Sequence, residues 1–198
     1  HMVSRTGASW QAQVRPAPAG LRLRAVDATV INGPGATGTE WRAHVLIDPA
    51  TGCFRAVELT AAHGGEGYAR HPFQAGDVVL GDRAYGTARG VYAVHTAGAQ
   101  VLVRLNPHAV RLCGAQRQRW DWSTAAVQVP QVSAHEWPVQ VPVPPAARRR
   151  SHQPWSLAQA VAWLPARLVG GQTRAGEVLW LLTTLPAADP RPGPTGMP

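Results

Sequence analysis

Two aspartates stand in surroundings where a carboxylate is costly. Asp27 interrupts the run LRLRAVDATVI, Leu21 to Ile31, whose branched residues read as a strand. Strict alternation puts Asp27 on one face with Leu23, Ala25, Thr29 and Ile31. A carboxylate there is solvated at an edge or strand end, paired, or bound to a cation. Asp82 closes the apolar run VVLGD and precedes a turn, which puts it at the carboxyl end of a strand, where open sheets bind ligands. An ordinary turn or capping aspartate has the same appearance. Taken together, two such carboxylates supply the oxygen ligands that Mg²⁺ prefers and leave positions for water and phosphate. That chemistry requires the two strands to be neighbours, with both carboxylates at the same end of the sheet.

Other chemistry-bearing residues are weaker candidates. Glu66, flanked by glycines in HGGEG, either assists such a site or is a solvated loop residue. His44 reads as a strand residue with a satisfied ring and His63 as a loop residue, neither a ligand. Cys53 and Cys113 have no CxxC or Cys/His spacing, so neither a zinc site nor a disulfide framework is indicated, and a reducing, cytoplasmic setting suits them. Six of the eight Trp residues, at 120, 122, 137, 155, 163 and 180, are interleaved with Arg111, Arg117, Arg119 and the run Arg148, Arg149, Arg150. Indoles stack on unpaired bases and guanidinium groups grip phosphate. Most of these Trp residues read as core filling. Arg117, Arg119, Trp120 and Trp122, inside RQRWDW, and the triple Arg run are the candidates for DNA contact.

The elements that must position these residues follow from pattern. After an arm through residue 20, the first strand ends at a turn cluster, Asn32 to Gly38. Trp41 to Asp48 and Phe54 to Thr60 read as a hairpin about the Pro49 to Gly52 turn, giving an antiparallel meander. A loop with helical potential, His63 to His71, leads to Asp77 to Gly81, a strand buried on both faces. Thr87 to Ala97 has helical spacing, with Thr87 as cap and Gly98 as stop. Gln100 to Leu105 is a further strand. Residues 108–176, with AVQVPQV and WPVQVPVP, read as a β-rich insertion, and Glu177 to Leu185 as a core strand that returns from it. Residues 186–198, rich in Pro, are expected to be disordered. The order predicts an α/β fold with a mixed sheet and flanking helices.

Bulk properties set the outer limits. The 198 residues allow one domain, or one domain carrying an insertion. The net charge is +8 and all 19 basic residues are Arg, which suits a nucleic-acid partner and equally a GC-rich genome. No run approaches a membrane span and no hydrophobic signal segment opens the chain. His1 and Met2 match the remnant of a cleaved expression tag, so the natural start is expected later in the chain and the natural protein is expected to be longer.

Six segments in order resemble the insertion-sequence-four family of DDE transposases: VDATVI, WRAHVLIDPATG, HGGEG, GDRAYG, VLVRLNP and LWLLTTLP. The resemblance implies a ribonuclease H-like core (residues 21–107) that uses Mg²⁺ or Mn²⁺ to attack phosphodiester bonds with water and then with a DNA 3′-hydroxyl. Asp27 and Asp82 match the family's two aspartate ligands. The implied partners are transposon terminal repeats and target DNA, with a homodimer in the DNA complex. Ala84 replaces a usual Gly. Only 26 residues precede Asp27, where family members carry a helical end-binding region. The third ligand, a glutamate in a Tyr-Arg-Glu-Lys helix after LLTTLP, is missing, since the chain has no Lys and no Tyr beyond Tyr92. Such a chain is expected to cut or join DNA poorly. A catalytically inactive DNA-binding remnant is the alternative.

Overall fold

Branched residues at alternating positions build a single mixed sheet. A computed structural model describes residues 21–35, 37–38, 40–107, 109–146 and 155–187. Its strands are β1 (Arg22–Ile31), β2 (Trp41–Asp48), β3 (Cys53–Ala61), β4 (Asp77–Gly81), β5 (Gln100–Arg104), β6 (Ala134–Val143), β7 (Ala162–Gln172) and β8 (Val178–Thr183). They lie in the order β3-β2-β1-β4-β5-β8-β7-β6. The first three strands form the antiparallel meander, β1, β4 and β5 run parallel, and β8, β7 and β6 return antiparallel. No helix among the described residues is long and apolar enough to cross a membrane.

The register sorts the side chains onto two unequal faces. Val26, Val79, Val101, Val103, Leu182, Leu168 and Leu164 share one face and are almost completely buried. Helix α1 (Ala88–Thr96) covers part of it with the buried Val91 and Val94 and packs on β5 and β6. Thr87 caps α1 by accepting from the Gly90 N–H, and Gly98, at φ 75°, ends it in the left-handed region that favours glycine. The opposite face is thinly covered: Leu23, Leu80, Leu102 and Leu181 are only partly buried, and Val57 and Leu59 are 58% and 61% exposed.

The expected α/β balance needs correction, because the fold is a mixed eight-stranded sheet with few helices among the described residues. His63 to His71 contains Gly64, Gly65 and Gly67 and forms only a 3₁₀ turn at Tyr68–Arg70. AVQVPQV, expected to be extended, instead begins in a short helix, α2 (Trp122–Val127). Asp121 starts that helix by accepting from the N–H groups of Ser123 and Thr124. The β-rich stretch after residue 107 also extends the same sheet, since β7 pairs with β8 and β6 with β7. β6 is an outer strand, which is where Pro138 and Pro142 can sit without leaving ladder hydrogen bonds unmade.

Four indoles fill the gap between α2 and this part of the sheet. Trp122 packs edge-on to Trp180 at 5.3 Å, Trp120 edge-on to Trp137 at 6.0 Å, and Trp137 lies 5.8 Å from Trp180. Gly170 of β7 makes room for them, since a Cβ there would lie 2.7 Å from the Trp180 ring and 3.1 Å from that of Trp137.

Candidate active site

The parallel pairing of β1 with β4 sets the central geometry. Arg22 is opposite Asp77, Leu23 opposite Val78, Arg24 opposite Val79 and Ala25 opposite Leu80. Asp27 lies two residues beyond Ala25, in the middle of β1, and Asp82 two residues beyond Leu80, just past the end of β4. Both are exposed. One oxygen of each is fixed by a nearby backbone donor: Asp27 Oδ1 accepts from the Ala28 N–H at 2.8 Å, and Asp82 Oδ1 from the Ala84 N–H at 2.9 Å.

What these carboxylates lack is as informative as what they have. Asp48 pairs with Arg55 at 2.7 Å and Arg24 at 3.2 Å, and the Arg55 hydrogen bond holds its carboxyl below the usual range. Asp77 pairs with Arg22 and Arg24, Glu58 with Arg70, and Glu136 with Arg167. Among the described residues Asp27 and Asp82 have no such partner, in a chain whose basic residues outnumber its acidic ones 19 to 11. Carboxylates without an ion-pair partner are hard oxygen donors of the kind that suit a divalent cation such as Mg²⁺ or Mn²⁺. No cluster of three His, Cys, Asp or Glu suited to a metal exists among the described residues.

Glu66 is an intermediate case. Its carboxylate lies 3.3 Å from Arg42 Nη1, and its loop is held by Arg42 donating to Gly64 O and by Arg70 donating to Gly65 O. Tyr85 is a residue that sequence reasoning passed over although it stands in the GDRAYG motif. Tyr85 is buried, its hydroxyl has no partner, and its ring lies 5.2 Å from that of Tyr68. Burial pushes its hydroxyl up to about 12, with further contributions from the charges of Glu66, Asp27 and Asp82. Tyr68 is raised likewise, first by burial and then by Tyr85 and Asp82. A side chain at Gly81 would run into the Tyr68 hydroxyl, so the backbone leading to Asp82 rests directly on that phenol.

The remaining candidates separate. His44 is completely buried and its Nε2 lies 3.0 Å from Thr60 Oγ1, but its Nδ1 has no partner, so its ring is only half satisfied. Trp120 and Trp122 pack on the core cluster with their outer parts lining a groove that also takes in Arg119. Arg117, at φ 63°, holds its guanidinium 4.5 Å over the Trp163 ring. Arg148, Arg149 and Arg150 lie outside the described residues, as do the arm through residue 20 and most of the Pro-rich tail.

Comparison with known proteins adds three findings. No curated protein sequence matches the chain. Among solved structures it is similar to a piggyBac transposase, seen by cryo-EM in a synaptic complex with hairpin DNA, with a TM-score of 0.49 and 7% identity. The similarity covers 87% of this chain and 34% of that one, so the chain spans about a third of that transposase's length. A family model, the transposase DDE domain, matches residues 18–142, a span that holds Asp27, Glu66 and Asp82. With well over half of its length matched, this chain belongs to the transposase DDE domain family.

Proposed function

We propose that this chain is the ribonuclease H-like catalytic core of a DNA transposase of the insertion-sequence-four type, in which Asp27 and Asp82 hold Mg²⁺ or Mn²⁺ for cleavage and transfer of DNA strands. The observation that supports this reading is the parallel pairing of β1 with β4, with Asp27 two residues past Ala25 and Asp82 two residues past Leu80, neither ion-paired among the described residues. The fixed Oδ1 of each aspartate leaves Oδ2 as the free donor, so the pair is oriented by backbone before any ligand arrives. A divalent cation held there supplies Lewis-acid polarisation of the phosphodiester and a more acidic attacking water. Arg83, exposed beside Asp82, offers a guanidinium to the adjoining phosphate. Glu66 is the accessory carboxylate, with Arg42 as its partner in the absence of a cation.

The test is nicking of supercoiled plasmid with Mn²⁺, comparing the chain with Asp27→Asn, Asp82→Asn and Glu66→Gln. Slow nicking is expected, reduced about a hundredfold by either aspartate change, the loss of a few kcal/mol of transition-state stabilisation. Glu66→Gln is expected to remove most of the remainder. Nicking that survives both aspartate changes sinks the proposal. DNA binding without any nicking would favour an inactive remnant that keeps the fold.

A further inference from the structure

The turn that carries Asp82 is bonded within itself. Asp82 O accepts from the Tyr85 N–H at 3.2 Å, Arg83 O from Gly86 at 3.3 Å and Tyr85 O from Thr87 at 2.7 Å, in addition to the Ala84 N–H held by Asp82 Oδ1. The place of the carboxylate therefore depends on what holds the turn as a whole. One side chain, Tyr68, touches the chain on both sides of it. The Tyr68 hydroxyl fills the space that a Cβ on Gly81 would need, and that Cβ would also lie 3.1 Å from Tyr68 Cζ. The backbone at Gly81 lies outside the left-handed region, so contact with Tyr68 and with the Tyr85 Cβ, also at 3.1 Å, is what excludes a side chain there. Beyond the turn, a Cβ on Gly90, in the first turn of α1, would lie 3.0 Å from Tyr68 Cδ2.

Tyr68 itself belongs to the segment that carries Glu66. It follows Glu66 by two residues and opens the 3₁₀ turn Tyr68–Arg70, which packs on α1. Two arginines fasten this segment to the meander. Arg70 donates to Gly65 O at 2.9 Å and to Glu58 at 2.7 Å, while Arg42 pairs with Glu66 and donates to Gly64 O. The Tyr68 ring is 1% exposed and its hydroxyl has no hydrogen-bond partner among the described residues. Shape, and not a hydrogen bond, joins it to Gly81 and Gly90. A contact of that kind fixes position only while its volume stays filled, because close-packed neighbours shift into any gap and away from any intrusion.

We infer that Tyr68 is a positioning residue: its ring sets where the Asp82 turn stands relative to the segment that carries Glu66. Its bearing on a cation rests on the transposase reading, whereas the mechanical part does not. Two measurements keep these apart. Mn²⁺ affinity is read from the electron paramagnetic resonance of the free ion, and hydrogen exchange is followed at the amides of Ala84 to Thr87. The chains compared are the parent, Tyr68→Leu, Gly81→Ala, the double variant Gly81→Ala/Tyr68→Phe, and Leu168→Ala. Leu168 is a core control, fully buried in β7, which β5 and β8 separate from β4.

Tyr68→Leu removes the ring and Gly81→Ala displaces it, so each is expected to weaken Mn²⁺ binding about tenfold and to speed exchange across the turn by a similar factor. In the double variant the hydroxyl that obstructs the new methyl is gone, and affinity should return to within about threefold of the parent. Leu168→Ala should lower the melting temperature yet leave both readings at the turn unchanged. Parent-like readings in both Tyr68→Leu and Gly81→Ala would overturn the inference. So would an equal loss in Leu168→Ala, or no recovery in the double variant. If Tyr68→Leu does not fold, Gly81→Ala and its double variant carry the same decision. A parent chain that binds no Mn²⁺ would sink the metal reading alone, and exchange at the turn would still decide the role of Tyr68.

Discussion

Asp27 and Asp82 differ from the other aspartates of the sheet in what surrounds them, and a second buried pair shows how much surroundings govern behaviour here. His44 is completely buried, His71 is 8% exposed, and each has a ring nitrogen without a partner. Burial lowers both, each ring's charge would oppose the other's, and the Arg70 charge lowers both further while Glu58 acts against it. Arg42 and Glu66 also act on His44, with opposite signs. Both rings are therefore neutral in the native state at neutral pH. Below about pH 6.5 the unfolded chain takes up protons that the native chain refuses, so stability falls as pH drops through that value towards the folded pKa values. Melting temperature should be level above pH 7 and decline from there to pH 5. His71→Phe, placed beside Phe73, should flatten the decline. An unchanged slope in that variant would show that other groups set the acid limb.

At the level of elements, the tight crossing of β7 over the indole cluster makes a definite demand. Gly170→Val would force its side chain into Trp180, Trp137 and Val129, and should cost about 1–3 kcal/mol, read from the urea midpoint at an unchanged slope. A neutral result would mean that the cluster can move aside. This crossing could not be read from sequence, because it depends on which strands become neighbours. The strands themselves could be read: LRLRAVDATVI, WRAHVLID and DVVLG have local patterns that correspond to β1, β2 and β4, and Thr87 and Gly98 bound α1 as expected. α2 escaped notice because Ala126–Val132 alternates like a strand while one capping aspartate decides the matter locally. The pairing of β1 with β4 was a requirement of the chemistry rather than a reading of pattern. Tyr85 was missed because nothing in a sequence marks a tyrosine as buried in the core against a second tyrosine.

For the whole molecule, charge is the property that reaches furthest. An excess of eight positive charges, all on Arg, should give DNA binding that is weakly sequence-selective and steeply salt-dependent. The slope of log affinity against log salt should be about −3 or steeper, which corresponds to three or more phosphates at roughly 0.9 each. Anisotropy titrations with a labelled duplex at several salt concentrations measure it directly. Absence of binding at low salt would return the arginines to genome composition as their explanation.

The sheet order also dictates a sequence of events in time. β5 pairs on one side with β4, close in the chain, and on the other with β8, where Leu102 meets Thr183. Until the chain has been made and threaded that far, β5 is an open edge offering unpaired N–H and C=O groups beside Val101 and Val103. The meander and the first parallel pairs can assemble early from nearby segments, whereas closure of this edge waits on a long excursion through β6 and β7. A half-sheet formed before β8 is available would present this edge outward. The yield of the protein should depend more on how quickly β8 arrives than on the stability of the finished fold.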